Sequence, residues 1–210
     1  MGKKNERVVA IIQARSTSKR LPNKALKKLG DKLVIQRVVD RVKAVNLLDS
    51  KLITEIVVAT PVGDPIIAWC AKNKVKYFQG SKNDVLSRYY ECAKLYRADW
   101  ILRITGDCPL LEPLMVYGLL KTKPRRDYNA LPYNRCCIPG GWDAELFSFE
   151  KLEEAHRKTP KKDREHVTKQ MRSKFEDYLD VSLTFDFSKI KLDLDTNNDL
   201  RRLEEYVKLL

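Results

Sequence analysis

The sequence predicts an α/β fold built on a parallel sheet, and three observations carry that prediction. Short apolar runs alternate with stretches of helical spacing through the first two-thirds of the chain. The runs are continuous, as in strands covered by helices on both faces. Three of them end in polar segments: Arg15 to Lys24, Thr60 to Asp64, and Gly106-Asp107. Ligands of such sheets bind outside the carboxyl ends of the strands, so these segments mark the expected site.

The elements follow in order. Arg7 to Ala14 (RVVAIIQA) reads as a strand buried on both faces. Leu33 to Val45 has helical spacing, with Ile35, Val38, Val39 and Val42 on one side. Glu55 to Thr60 is a second buried strand, stopped by Pro61 and Gly63. Pro65 to Lys72 reads as a helix and Val75 to Phe78 as a short strand. Asp84 to Tyr96 is a helix, with Asn83 or Asp84 as its N-cap. Asp99 to Thr105 is a further strand and Glu112 to Leu120 a helix. The rhythm implies parallel strands joined by crossover helices. The last third changes character. Residues 121–147 carry three prolines, a Cys-Cys pair and Gly140-Gly141, and read as an irregular insertion with short strands. Phe149 to Lys158 and Asp163 to Lys174 look helical. Leu179 to Phe185 and Leu192 to Asp195 read as strands, and Asn198 to Leu209 as a closing helix.

The chain has 210 residues, which suits one large α/β domain or two small ones. No linker interrupts it, so a single domain over 1–210 is expected. No apolar run approaches the ~20 residues of a membrane span. The apolar stretch Val8 to Ile12 is too short for a signal core. A soluble, cytoplasmic protein without a membrane partner is expected. The five cysteines form no C-x-x-C pair, so neither a disulfide framework nor a zinc site is supported. The net charge is +13, and residues 1–50 hold 13 basic against 4 acidic side chains. That imbalance suggests an anionic partner, whether nucleic acid, membrane headgroups or a polyphosphate ligand.

Arg15, Lys19, Arg20 and Lys24, with three hydroxyls, fall within ten residues of the first loop. The loop lacks the glycines of a dinucleotide fingerprint or a Walker loop. Its cations and hydroxyls suit phosphate; on charge alone it is a solvated basic loop. Asp107, at a strand end, has the position of a metal ligand or of a turn former. Alternation would place Asp193 and Asp195 on one face of a strand, while Asp199 would offset a helix dipole. Two acidic clusters and one cationic loop would make a magnesium-triphosphate site if folding joined them. His156 lies on a charged helix, facing solvent. His166 follows Arg164-Glu165 and suits either a structural role or the positioning of an anionic acceptor.

The run AIIQARSTSKRLPNKAL resembles the nucleotide-binding signature of the CMP-sugar synthetases, A-R-x-x-S-x-R-L-P-x-K-x-L after the first strand. That family includes 3-deoxy-manno-octulosonate and acylneuraminate cytidylyltransferases. The branch called spore coat polysaccharide biosynthesis protein F is similar at further places: IVVAT, FQGSKNDVLSRYYECA, ILRITGDCPLLEP, PGGWDAELFSFEKLEEA, REHVT and LDLDTNNDL, in the same order. The resemblance implies a three-layer α/β/α nucleotide-binding fold of the nucleotide-diphospho-sugar transferase kind, with a mixed, mainly parallel sheet. It implies a magnesium-dependent cytidylyltransferase that joins CMP from CTP to an anionic sugar or sugar-acid acceptor and releases pyrophosphate.

By position, the resemblance puts Arg15 and Lys24 on the CTP triphosphate, with Ser18 and Arg20 lining the same loop and Arg88 by the nucleotide. Asp107 and Asp195 would ligate magnesium. Asp143, Glu145, Arg164, Glu165 and His166 would face the acceptor. The family also implies a homodimer, here through roughly Tyr128 to Phe147. The proline of the usual G-x-P is missing at Gly30-Asp31-Lys32, and D-T-P-E-D becomes Asp195-Thr196-Asn197-Asn198-Asp199, so loop shape departs while the charged groups stay. Three other readings remain: a cytidylyltransferase for a small-molecule phosphate, a catalytically silent nucleotide-binding relative, and a basic nucleic-acid-binding module. The last would need aromatics interleaved with surface cations, whereas the aromatics here sit at core-like positions, so no nucleic-acid partner is expected.

Overall fold

In the computed structural model, which describes residues 6–50, 52–122, 127–131, 137–172 and 186–209, β1 (Val8–Gln13) leads into the first loop and a 3-10 turn at Lys24–Leu26. A short hairpin, β2 (Lys28–Leu29) and β3 (Lys32–Leu33), precedes α1 (Val34–Leu48). Then come β4 (Glu55–Pro61), α2 (Ile66–Lys72), β5 (Lys76–Gly80), α3 (Val85–Leu95), β6 (Trp100–Thr105) and α4 (Pro113–Leu120). The last third supplies β7 (Tyr128–Ala130), β8 (Ala144–Ser148), α5 (Phe149–Lys158) and α6 (Asn197–Val207). Caps set the helix starts. Asp84 accepts from the Ser87 N–H, Glu112 from Leu114 and Ser148 from Lys151, while Thr196 and Asp199 form a reciprocal capping box.

The sheet order is β5-β4-β1-β6-β8-β7. The first four strands are parallel; β8 and β7 pair antiparallel at one side. The sheet is therefore mixed and mainly parallel, and part of the 121–147 segment completes it. β1 shows why its strand is apolar throughout. Val8, Ala10 and Ile12 pack toward α1, α2 and α4, while Val9 and Ile11 pack toward α3 and α5. Both faces are covered, which gives three layers.

Several sequence expectations change. A 3-10 turn at Lys161–Asp163 is followed by successive tight turns through residue 171, not by a helix. The Arg164 carbonyl accepts the Leu86 N–H of α3, and the following amides bond three residues back: His166 to Asp163, Lys169 to His166, Met171 to Thr168. Val167 and Met171, four residues apart, still enter the core beside α3. Leu192 to Asp195 is not a strand: the Leu192 amide goes to Gly140 and the Leu194 amide to Asp107. Gly141, at φ 97, permits this approach, since a Cβ there would lie 2.6 Å from the Asp193 nitrogen. The strand expected over 179–185 lies outside the described residues. Tyr128, Leu131, Ile138 and Phe147, expected at a dimer interface, are buried in this chain's own core, and Trp142 packs against it. Tyr133 lies outside the described residues. Among the described residues, no helix is long and apolar enough to cross a membrane.

Candidate active site

A third, smaller apolar cluster brings the polar segments together. Leu21 of the first loop packs with Leu110, three residues past Asp107, and with Leu194, which precedes Asp195; Leu203 of α6 completes it. Beside this cluster, at the carboxyl edge of the parallel strands, opens a cavity of about 830 Å³. Arg15, Ser18, Arg20, Lys24, Asp107 and Asp195 all line it, and so does Glu165, which the resemblance had assigned to the acceptor.

Lys24 is the centre of the cavity floor. Its ammonium donates to Asp107 Oδ2 at 2.6 Å, Asp195 Oδ1 at 3.1 Å and the Leu194 carbonyl at 3.0 Å. Arg20 reaches the other Asp195 oxygen at 2.9 Å. Burial alone would lower the Lys24 pKa, but the two carboxylates outweigh it and raise it. For Asp107, burial pushes upward and the Lys24 ammonium more than reverses it. Arg15 pairs with Glu165 at 3.3 Å, both largely exposed, so this contact is weak and exchangeable. Ser18 Oγ accepts from the Leu21 N–H at 3.4 Å and shapes the loop.

The other expected site residues stand elsewhere. Arg88 is 1% exposed and does not line the cavity; it donates to the Ser81 carbonyl at 2.5 Å, under the Lys82-Asn83 rim. Its Nε and Nη2 have no hydrogen-bond partner, and burial lowers its pKa. Glu145 is buried rather than facing an acceptor. Arg103, Arg172 at 2.7 Å and the Tyr128 hydroxyl at 2.6 Å all donate to it. Burial pushes the Glu145 carboxyl up, yet Arg103 and Arg172 hold it at about 2. Asp143 is also outside the cavity. Burial raises it to about 6, against the Gly141 N–H and with help from the Asp193 and Asp107 carboxylates. Arg164 is an inward brace, donating to Asp84 at 2.7 Å and to the His156 carbonyl at 2.6 Å. His156 is stacked on Tyr90, with ring centroids 4.3 Å apart, instead of facing solvent.

His166 opens into a second cavity, of about 400 Å³, with Arg103, Thr168, Lys169 and Arg172. Glu165 and His166 are consecutive, so the two cavities are neighbours across one turn. The motif reading missed Lys82 and Asn83, which line the larger cavity, and Lys191, which lies 3.7 Å from Asp193 and 4.0 Å from Asp195. Lys82 and Asn83 lie after a strand, within the landmark FQGSKNDVLSRYYECA; Lys191 had no such local signal.

Two carboxylates converging on one ammonium are a test of metal fit. Their hard oxygens already share a cationic centre, which suits magnesium. Among the described residues, no group of three or more His, Cys, Asp or Glu side chains could hold a metal. The remaining ligands would therefore be phosphate oxygens and water, the usual surroundings of magnesium at nucleotide sites.

Comparison with known proteins supplies the lineage. The sequence model of the Cytidylyltransferase family matches residues 9–209. The chain belongs to the cytidylyltransferase family. It is similar to the spore coat polysaccharide biosynthesis protein SpsF of Bacillus subtilis, 34% identical over 50% of this chain and 45% of that protein. It is also similar to the 3-deoxy-manno-octulosonate cytidylyltransferase of Geobacter sulfurreducens, 33% identical over 52% of this chain and 42% of the relative. Both matches span less than half of the relatives' own length. A cytidylyltransferase structure from Leptospira borgpetersenii superposes with a TM-score of 0.84 at 27% identity, covering 98% of this chain and 88% of that one. The nucleotidyltransferase fold expected for the chain is thereby shown.

Proposed function

We propose that this cytidylyltransferase transfers CMP from CTP to an anionic acceptor and releases pyrophosphate. One observation carries the reading: Lys24 links Asp107 and Asp195 on the floor of a cavity rimmed by Arg15, Lys19, Arg20 and Lys82. The rim suits a triphosphate, whose charge would draw Arg15 from Glu165 and Arg20 from Asp195. Lys24, already desolvated and charged, would stabilise the charge that develops on the departing pyrophosphate. When bound by Asp107 and Asp195, magnesium would withdraw charge from the α-phosphate and orient it for in-line attack.

The neighbouring cavity supports an anionic acceptor, because Arg103, Lys169 and Arg172 line it with His166. Glu165, on the turn between the cavities, would hold the acceptor hydroxyl near the α-phosphate. The names of the two curated relatives favour a sugar acid or another sugar of surface polysaccharide synthesis; a small-molecule phosphate suits the same cations. The Asp107–Lys24–Asp195 arrangement speaks against a silent relative, and the buried aromatics speak against a nucleic-acid module. A cytoplasmic homodimer is part of the proposal, though not through Tyr128, Leu131, Ile138 and Phe147, which this chain buries itself; light scattering at micromolar concentration tests it. Pyrophosphate release from CTP and magnesium, with a panel of sugar acids and sugar phosphates, tests the activity; the mass of the CMP conjugate identifies the acceptor. No release with any acceptor, together with no CTP binding, would overturn the reading.

A further inference from the structure

We infer that Asp64 is the positioning residue of the first loop, holding Ser16 and through it the relative places of Arg15 and Lys24. This rests on the reading of that loop as the triphosphate cradle. Asp64 follows β4 and is 6% exposed; neither it nor Ser16 lines the cavity. Its Oδ2 accepts from the Ser16 N–H at 2.8 Å and from Ser16 Oγ at 3.0 Å, and its Oδ1 accepts from the Ile66 N–H at 3.0 Å. Three donors thus meet two oxygens. A carboxylate accepts on both; an asparagine would turn its NH₂ against an N–H.

Ser16 is the hub of the loop. While Asp64 holds its N–H and hydroxyl, its carbonyl accepts from the Ser18 N–H at 3.0 Å and the Asn23 N–H at 2.8 Å. Those two amides lie on opposite limbs of the loop. Asn23, at φ 55, opens the 3-10 turn that carries Lys24. A path of hydrogen bonds therefore runs from the end of β4, through Ser16, to the residue beside Lys24. Arg15 precedes the hub directly. Asp64 also offsets the buried Arg88 guanidinium through space, so one carboxylate serves both the clamp and its cationic surroundings. Loops rich in cations repel themselves, and an anchor outside the cavity restrains this one without occupying the ligand's place.

The test compares Asp64→Asn, Ser16→Ala and their double variant with the wild type. Calorimetric titration with CTP and magnesium reads affinity, and amide hydrogen exchange of the ligand-free protein reads the loop. Asp64→Asn should bind CTP at full stoichiometry but about tenfold more weakly, the cost of a lost charged hydrogen bond. Its Ser16, Ser18 and Asn23 amides should exchange at least about tenfold faster, while β1 and β6 keep their protection. Ser16→Ala keeps the backbone bond and should shift both readouts less. The double variant should be no weaker than Asp64→Asn, because both act through one contact. A merely structural role would lower the binding-competent fraction at unchanged Kd, and that result overturns the inference, as does unchanged loop exchange in Asp64→Asn. Should Asp64→Asn fail to fold, Ser16→Ala decides by the same two readouts. If the wild type itself does not bind CTP, the proposed function fails, and loop exchange still decides whether Asp64 holds the loop.

Discussion

At the antiparallel side of the sheet, Glu145 is 4% exposed, with Arg103, Arg172 and Tyr128 donating to its two oxygens. At the carboxyl edge of the parallel strands, Lys24 is shared between Asp107 and Asp195 beside an open cavity. Both regions place charge inside the protein, and they treat it differently. The Glu145 carboxylate spends both its oxygens internally and fastens the 164–172 turns to β6 and β8, while Arg103 and Arg172 also reach the second cavity. The Lys24 cluster faces solvent on one side, and the pairs around it, Arg20 with Asp195 and Arg15 with Glu165, are exchangeable. A buried charge with all its partners in place serves stability; one whose partners line a cavity can trade them for a ligand.

The largest effect that would sharpen this contrast comes from Asp107→Asn. It keeps the shape but removes a carboxylate charge, and cytidylyl transfer should fall by about 100- to 1000-fold, with the melting temperature largely retained. Steady-state pyrophosphate release at saturating magnesium checks this, and near-normal turnover would remove Asp107 from the chemistry.

Glu145→Gln should show the opposite profile. It leaves Arg103 buried beside a neutral amide and should cost about 3 kcal/mol of stability by urea unfolding, while the folded fraction still binds CTP. A stable variant with lost binding would place Glu145 in the site after all.

Next is the first loop. Lys24→Ala should weaken CTP binding about tenfold or more. Lys27→Ala and Lys28→Ala, which lie outside the cavity lining, should leave it nearly unchanged. Equal losses in all three would reduce the loop to a basic patch.

The smallest effect is on pH dependence, and its sign differs between the two carboxyls. Glu145, held at about 2 when folded against an ordinary 4.5, contributes stability that is full above 4.5 and is lost as pH falls toward 2. Asp143, raised from 3.8 to about 6, keeps a proton that the unfolded chain releases; its contribution is full below 3.8 and is lost as pH rises through about 6. The ligand-free protein should lose about 1 kcal/mol from this group between pH 5 and 7. Asp143→Asn should flatten that slope and Glu145→Gln the acid one. Unfolding at stepped pH separates them, and an unchanged slope in Asp143→Asn would place the titration elsewhere.

The sequence misled where a short-range signal was overridden at long range. Val167 and Met171 have the spacing of a helix, but the Arg164 carbonyl is committed to α3, so the chain turns there instead. Arg164 and Glu145 sit in motif positions that implied an acceptor, yet Asp84, Arg103 and Arg172 claim their side chains. Such partners lie far along the chain, and no local pattern announces them. Asp64 shows the converse: it read as part of a polar strand end, and only its contact with Ser16 gives it a task.

What the sequence by itself determined was local. Continuous apolar strands, helical stripes and capping residues such as Asp84 and Ser148 specified the α/β class and the order of most elements, because burial period and cap chemistry act within a few residues. The cationic first loop and the two aspartates were also readable as residue types. Their meeting was not. Lys24 and Asp107 are 83 residues apart, and Lys24 and Asp195 are 171 apart. Tertiary structure decided that union, since it depends on Leu21, Leu110 and Leu194 burying one another beside the carboxyl ends of β1 and β6.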